Sequence, residues 1–520
     1  MSAPRTIALL IFQLSALTLF GPVAIRSDEG LNLEDDNLPE IAIIGGGIGG
    51  TTTAYYLRKL FGNKASIDLF EAKQIGGRVS TVVVNGREYE SGASIIHPRN
   101  QYMVNFTKLF GLRKREGHSE KLAIYDGKKF VFTGSKFNIA TMAKMFWRYG
   151  MDVYNINSWV ENILDKFERV YHHLEDGIAF STVEGLLESM DASFVDLTKK
   201  TIREVLKEDG FSDLFIDELV TAGMRVNYAQ GAEVHGFVGS VSLAGALPGL
   251  FSVHGGNRLV PERVLQASQV NYLPAEVTKV SLVRDHNNNV RYDLSFQHSD
   301  LPHGAEPMSV TKQYDVVVIA APLHKRVSDI AFSGFPKPIR YAQEEFHRTV
   351  ANFALGSANI SHFGNYGMGD FPTAILCNNL DLFFNSFAQN TPVDFSSERD
   401  SMESEKGSVW KVFSSTPLSE EELSQLYEVH SKTSVVDWLA YPEYTPTETL
   451  PSFVLYDQLY YVNAIEMAAS AMEMSAIGGR NIAQLAFNHW HGLFDKIDEI
   501  KDAPSHETPT SDKDEKKTEL

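Results

Sequence analysis

The chain has 520 residues, 43% of them apolar and 11% aromatic: too long for one simple core and too apolar for a mainly disordered chain. Its formal net charge of −19 argues against a nucleic-acid partner, which asks for a basic face. The single cysteine, Cys377, excludes an internal disulfide, a dithiol redox centre and a cysteine zinc site.

Residues 1–27 read as a signal peptide. Arg5 supplies a weak positive start, Thr6 to Phe20 the apolar core, Gly21-Pro22 a break, and small residues near Ala24 and Ser27 suit cleavage. An uncleaved signal anchor is the alternative, because the run approaches the length of a membrane span, which no later segment does. The leader points to the secretory pathway, with the lysosome as expected destination and secretion or the endoplasmic reticulum as alternatives. Two acceptor sequons, at Asn105 and Asn359, fit a luminal route to a glycoprotein.

The stretch Glu40 to Ser80 organises the rest. An apolar run, Ile41-Ala42-Ile43-Ile44, breaks into Gly45-Gly46-Gly47-Ile48-Gly49-Gly50, and Ala54, Leu57, Leu60 and Phe61 follow at helical spacing. A second apolar run, Ser66 to Phe70, ends on Glu71. Strand, glycine turn, helix, strand and acid are the parts of a dinucleotide-binding unit. Gly45 allows the tight turn, Gly47 lets backbone approach a pyrophosphate, and Gly50 lets the helix lie close to the sheet. The helix N-terminus offers free N–H groups to phosphates, and Glu71 can accept from ribose hydroxyls.

Ile75-Gly76-Gly77-Arg78 comes next, and here the sequence resembles the flavin amine-oxidase superfamily. The resemblance implies that Gly77 and Arg78 meet the phosphates of FAD, and an arginine fork suits phosphate oxygens. It implies that Gly92-Ala93-Ser94 lies against the flavin ring and that Val277 contacts the adenine. His97, just beyond, is a candidate catalytic residue. Asn105 to about Gln230 is mainly helical. Asn271 to Val283 reads as two short β runs, and Gln313 to Pro322 as one buried parallel strand. In the last segment, a strand ending on Glu466 is expected to touch the ribityl chain. The helix after it, through Met472 and Ala476, points its N-terminus at the flavin pyrimidine.

The fold class expected is α/β: a discontinuous, Rossmann-like FAD domain with an inserted α+β substrate domain. The FAD domain takes 38–104, 235–325 and 452–490, the substrate domain 105–234 and 326–451, and 495–520 form a disordered acidic tail. That tail ends Lys517-Thr518-Glu519-Leu520, one substitution from a retrieval signal.

Met224-Arg225-Val226-Asn227-Tyr228, Trp438-Leu439-Ala440-Tyr441-Pro442 and Ala468 to Ile477 resemble the prenylcysteine oxidase family, from about Leu38 to the C-terminus. The resemblance implies that S-farnesyl- or S-geranylgeranyl-cysteine, O2 and water become free cysteine, the prenyl aldehyde and hydrogen peroxide, in degradation of prenylated proteins. A lipid or membrane surface is the candidate source of that substrate. No second glycine-rich dinucleotide motif follows Gly50, so electrons are expected from the organic substrate rather than from a nicotinamide. Two alternatives remain: a prenyl-lipid-binding escort without catalysis, and a luminal flavin amine oxidase. The latter wants an aromatic cage at the flavin, and no tyrosine pair can be assigned to one from sequence.

Overall fold

The computed structural model describes residues 38–499 apart from 117–120, 136, 300–307, 342–345, 365, 368–369, 397–399 and 401–406. The signal peptide, the terminal tetrapeptide and most of the tail lie outside the described residues.

Strand β1 (Glu40–Ile44) is flanked on both edges by parallel neighbours, β2 (Ser66–Glu71) and β10 (Val316–Ile319). Ile41 to Ile44, which alternate between its two faces, are all buried, and that is why the strand is continuously apolar. From β10 the sheet runs to β18 (Leu459–Tyr461) and β17 (Val454–Tyr456). From β2 it runs to β7 (Asn271–Arg284), which also pairs with the short β11 (Ala331–Ser333), then β8 (Val290–His298) and β9 (Ser309–Tyr314). The order β17-β18-β10-β1-β2-β7-β8-β9 puts a topological switch at the carboxyl end of β1, where ligands of such sheets bind.

Helix α1 (Ile48–Phe61) follows β1 at once. Gly45 lies at φ +112°, and a Cβ there would stand 2.6 Å from the Ala320 carbonyl oxygen at the end of β10. Only glycine takes that turn without strain. The closing helix, Met472–Trp490, lies against α1 through Gly479, where a Cβ would fall well inside contact distance of the Gly49 carbonyl. Small residues in both helices permit this approach.

A second sheet has the order β16-β12-β15-β14-β13-β5-β6. Its strands are β5 (Leu122–Tyr125), β6 (Phe130–Thr133), β12 (Phe346–Ala358), β13 (Ala374–Cys377), β14 (Ser386–Asn390), β15 (Ser408–Ser414) and β16 (Tyr427–Pro442). It is antiparallel except where β13 meets β5. Helix α2 (Gln101–Leu109) lies just ahead of β5, and between β6 and β7 the chain is helical, beginning with α3 (Asn138–Tyr149) and α4 (Asp152–Phe167). A hairpin of β3 (Thr81–Val84) and β4 (Arg87–Glu90) joins the two bodies. Among the described residues no helix is long and apolar enough to cross a membrane.

Several expectations change. Asn271 to Val283 is one long strand, because β2 pairs with its first residues, to Pro274, and β8 with the rest, from Ala275. Residues 313–322 divide at Asp315: Tyr314 ends antiparallel β9, and only Val316–Ile319 is the parallel strand. The region 105–230 is mainly helical as expected, with the strands β5 and β6 lying within it. The tail starts later than residue 495, because the Ala179 N–H donates to Lys496 O at 3.0 Å and the Ser181 N–H to Asp498 at 2.7 Å.

Candidate functional site

One cleft of ≈ 1210 Å³ starts at the carboxyl ends of β1 and β10 and continues between the two bodies. Its floor is the glycine turn. Gly47 has extended backbone, φ −73° and ψ −173°, and a Cβ built on it meets no protein atom nearer than Gly76 O at 3.9 Å. That open cradle, against the free N–H groups of the α1 N-terminus, fits a pyrophosphate. Gly77 lies beside it at φ +56°, and the Gly76 N–H donates to Gly46 O at 2.9 Å, locking the two glycine loops together. Glu71 stands at the end of β2 and accepts from the Gly46 N–H at 2.7 Å and the Lys73 N–H at 2.7 Å. Both bonds aim its carboxylate at the cleft rim, where a ribose would lie. Val277, on β7, lines the cleft beside them.

Arg78 reaches across the cleft rather than along it. Its guanidinium makes a bidentate pair with Glu466, Nη1 to Oε2 at 3.0 Å and Nη2 to Oε1, and Nη1 also donates to Ala440 O at 2.6 Å. Burial alone would lower its pKa, but the Glu466 charge outweighs burial and holds the guanidinium firmly protonated. Both Nη groups, from which a phosphate contact was expected, are thus engaged by protein acceptors. Glu466, expected at a strand end, sits instead on a 3-10 turn, Val462–Met467, after β18 has finished at Tyr461. That turn also places Asn463, whose Nδ2 donates to Glu466 at 2.7 Å while its Oδ1 is buried without a partner. An orphan acceptor beside a carboxylate on the cleft wall fits a polyhydroxylated chain, and ribityl is one.

The N-terminus of the closing helix faces the cleft through Met472 and Ser475. Its first-turn Glu473 turns away and accepts from the Tyr102 N–H at 2.8 Å, the Met103 N–H at 3.0 Å and the Tyr171 hydroxyl at 2.8 Å. It therefore caps α2 from another helix. Burial pushes its pKa up to about 7. Ala476 and Gly50 do not line the cleft. Ala476 is fully buried, and a Cβ on Gly50 would collide with Gly45 O, so both serve packing.

Gly92, Ala93 and Ser94 form part of the opposite wall. A Cβ on Gly92 would stand 2.6 Å from the Trp438 ring, so the backbone here is flat by necessity. His97 is also on this wall, but its Nδ1 accepts the Arg99 N–H at 3.2 Å, which leaves the neutral ring protonated at Nε2. Burial holds its pKa below the usual value. It is a hydrogen-bond donor to the cleft, not the proton acceptor that a catalytic base has to be.

Beyond the glycine loops the lining turns apolar: Leu164 and Phe167 of α4, Val241, Leu250, and Val436, Trp438 and Leu439 of β16. Tyr228 and Tyr441 do meet here, edge to face, with centroids 5.2 Å apart at 81°. They touch each other, so no substrate fits between them as it would in a cage.

Sequence reasoning missed Asn463 and Glu473 at the cleft, and two buried charges that do not line it, Glu90 and Lys411. Glu90 is buried with Oε2 unpartnered, and burial pushes it up to about 7. Lys411 donates to Glu90 O at 3.1 Å, and burial pulls it down to about 8. A charged residue inside an apolar run, as Lys411 is inside Val409 to Phe413, was the only available signal.

A family model described as prenylcysteine lyase matches residues 132–499, and one described as an NAD(P)-binding Rossmann-like domain matches residues 43–110. Prenylcysteine oxidase 1 of Bos taurus is 40% identical over 467 residues, covering 88% of this chain and 90% of that protein. The Homo sapiens protein of that name is 40% identical over 468 residues, covering 88% and 91%. Prenylcysteine oxidase 1-like of Bos taurus is 37% identical over 463 residues, covering 88% and 92%. Among solved structures, a triple mutant of putrescine oxidase aligns at TM-score 0.55 and 16% identity, over 86% of this chain and 98% of its own. Cyclohexylamine oxidase from Brevibacterium oxydans aligns at TM-score 0.55 and 16% identity, over 88% and 100%. At such identity these two speak for the two-body fold alone.

Proposed function

The chain belongs to the prenylcysteine oxidase family, and we propose from its cleft how it carries out the FAD-dependent oxidation of a prenylcysteine thioether that this membership gives it. The observation that carries the proposal is the continuity of the cleft. A polar cradle of Gly45–Gly49, Glu71 and Arg78 runs without a break into an apolar wall of Leu164, Phe167, Val241 and Trp438. A dinucleotide fits the first part and a prenyl chain the second.

Bound FAD supplies the two-electron acceptor for the carbon next to sulfur and passes the electrons on to O2. The chain does the rest. Gly47 and the α1 N-terminus hold the pyrophosphate, Glu71 the ribose, and Asn463 with Glu466 the ribityl hydroxyls. The Arg78–Glu466 pair fixes those two segments against each other. Gly92 and Trp438 flatten the wall on which a ring lies, and the apolar wall keeps bulk water from the reacting carbon. His97 Nε2–H donates a hydrogen bond and takes no proton. The proposed balance is prenylcysteine, O2 and water to cysteine, prenyl aldehyde and hydrogen peroxide.

The same proposal places the protein in the secretory pathway, at the lysosome. It rests on the leader of residues 1–27. The Asn105 side chain is exposed on α2 and suits a glycan, whereas Asn359 is engaged, its Oδ1 accepting from Ser361 at 2.6 Å.

Anaerobic titration tests the function. S-farnesylcysteine is expected to bleach the flavin absorbance of the purified protein, with cysteine and aldehyde in equal yield on admitting air. A colourless protein, or bleaching by amines and not by the thioether, overturns the proposal.

A further inference from the structure

Helix α3 and its flanks present an apolar face that no other described residue covers. Trp147 is 91% exposed, Phe137 75% and Ile139 72%, and Met151 and Phe146 are about half exposed. Ile139, Ala143, Phe146 and Trp147 recur at i, i+4, i+7 and i+8, so they share one side of the helix. The other side holds Tyr149, the only residue of α3 that is fully buried. A contiguous patch of this size on a soluble surface marks an interaction site.

Charge says what the partner is. Residues 121–151 contain six lysines and arginines against one acid, Asp126, in a chain whose net charge is −19. Arg148 is neutralised by Glu218, which it meets at 2.6 Å, but Lys128, Lys129 and Lys144 are exposed. Aromatic and aliphatic side chains flanked by lysines are the composition of helices that lie in a lipid interface. An anionic bilayer repels a net acidic molecule, so a lysine-flanked apolar face is the orientation it favours.

We propose that α3 seats the protein on an anionic lipid bilayer and that the prenylated substrate enters the cleft from that side; the second half rests on the function proposed above. The route is short. Phe146 meets Tyr154 of α4 with centroids 5.9 Å apart. Leu164 and Phe167, about 15 Å further along α4, form part of the apolar cleft wall.

The test uses the mature chain purified from a eukaryotic secretory host, and its Ile139→Glu/Trp147→Glu variant. Both positions are exposed, so folding is unaffected. The wild type is expected to float with vesicles of phosphatidylcholine and phosphatidylserine, less with phosphatidylcholine alone, and less as salt rises. The variant is expected to partition about tenfold more weakly, and Trp147→Phe to retain binding. Turnover of detergent-dispersed S-farnesylcysteine should be equal in wild type and double variant. No turnover in either refutes the proposed function while leaving the flotation result to stand. Equal flotation of wild type and variant, no flotation of the wild type, or a wild-type dimer that the variant dissolves each overturns the docking proposal.

Discussion

Gly47→Val separates two tasks that the glycine turn performs together. Its backbone already has the extended conformation that valine prefers, and the nearest protein atom to a new Cβ is 3.9 Å away. The cost to folding is therefore that of a poor N-cap residue, about 1 kcal/mol or less. The added methyls point only into the cleft, where a pyrophosphate has to rest on the α1 N-terminus. Pushed off, it loses charge-assisted bonds worth about 1.5–3 kcal/mol each. Two lost bonds are about a hundredfold in affinity or more. Gly50→Ala is the control in the opposite sense, because its Cβ meets Gly45 O inside contact distance and a strand or helix must move.

The assay is the ratio of flavin to protein absorbance after purification, together with the unfolding midpoint of the flavin-free protein. Gly47→Val should be colourless with a near-normal midpoint, and Gly50→Ala should unfold early. Full flavin in Gly47→Val would refute the placement of the pyrophosphate. A midpoint as low as that of Gly50→Ala would show that Gly47 serves packing.

Glu466→Gln leaves the half-buried Arg78 guanidinium without its counter-charge, and should destabilise by about 1–3 kcal/mol and weaken flavin retention. Arg78→Met/Glu466→Met should recover most of the stability in thermal unfolding but not the flavin. If the double variant binds flavin normally, the pair has no part in the site. Burial pushes Glu90 and Glu473 up to about 7 from an ordinary carboxylate value of 4.5, so each binds its proton more tightly folded than unfolded. Their stabilisation is complete below about pH 4.5 and is lost as pH rises to about 7, on the order of 3 kcal/mol apiece. Unfolding midpoints of the flavin-free protein should fall from pH 5 to pH 8, and Glu473→Gln should flatten that slope even where it lowers the plateau. An unchanged slope refutes the assignment.

What was legible in the sequence is what is local in the chain. Gly45 to Glu71 is one continuous unit whose strand, turn and helix contact one another within about 30 residues, and the structure keeps each part. Glu466 and Val277 could be placed only through resemblance, because their neighbours lie hundreds of positions away. Arg78 meets Glu466 at a separation of 388 residues, and Glu473 caps α2 at a separation of 371. No periodicity encodes such pairs. The strand boundaries at Asp315 and Tyr461 were missed for a related reason. Pairing partners, not side-chain pattern, decide where β9 stops and where the turn holding Asn463 begins.

The apolar end of the cleft also bears on which bond the protein attacks. A flavin amine oxidase holds its amine between two facing aromatic rings, and the gap between them is the binding site. Here Tyr228 and Tyr441 stand edge to face in contact, Tyr228 donating its hydroxyl to Ser470 O at 3.1 Å and Tyr441 accepting from Thr349 at 3.0 Å. Opening a gap would break both hydrogen bonds and the ring contact, a cost of several kcal/mol that an amine does not repay. An amine arrives largely protonated and needs a base near the ring, whereas a thioether carries no proton to remove. His97 has its Nδ1 occupied and its pKa held low by burial, so it meets the second requirement and not the first. Closed tyrosines and a histidine that only donates favour oxidation beside an uncharged thioether sulfur over oxidation beside an ammonium nitrogen.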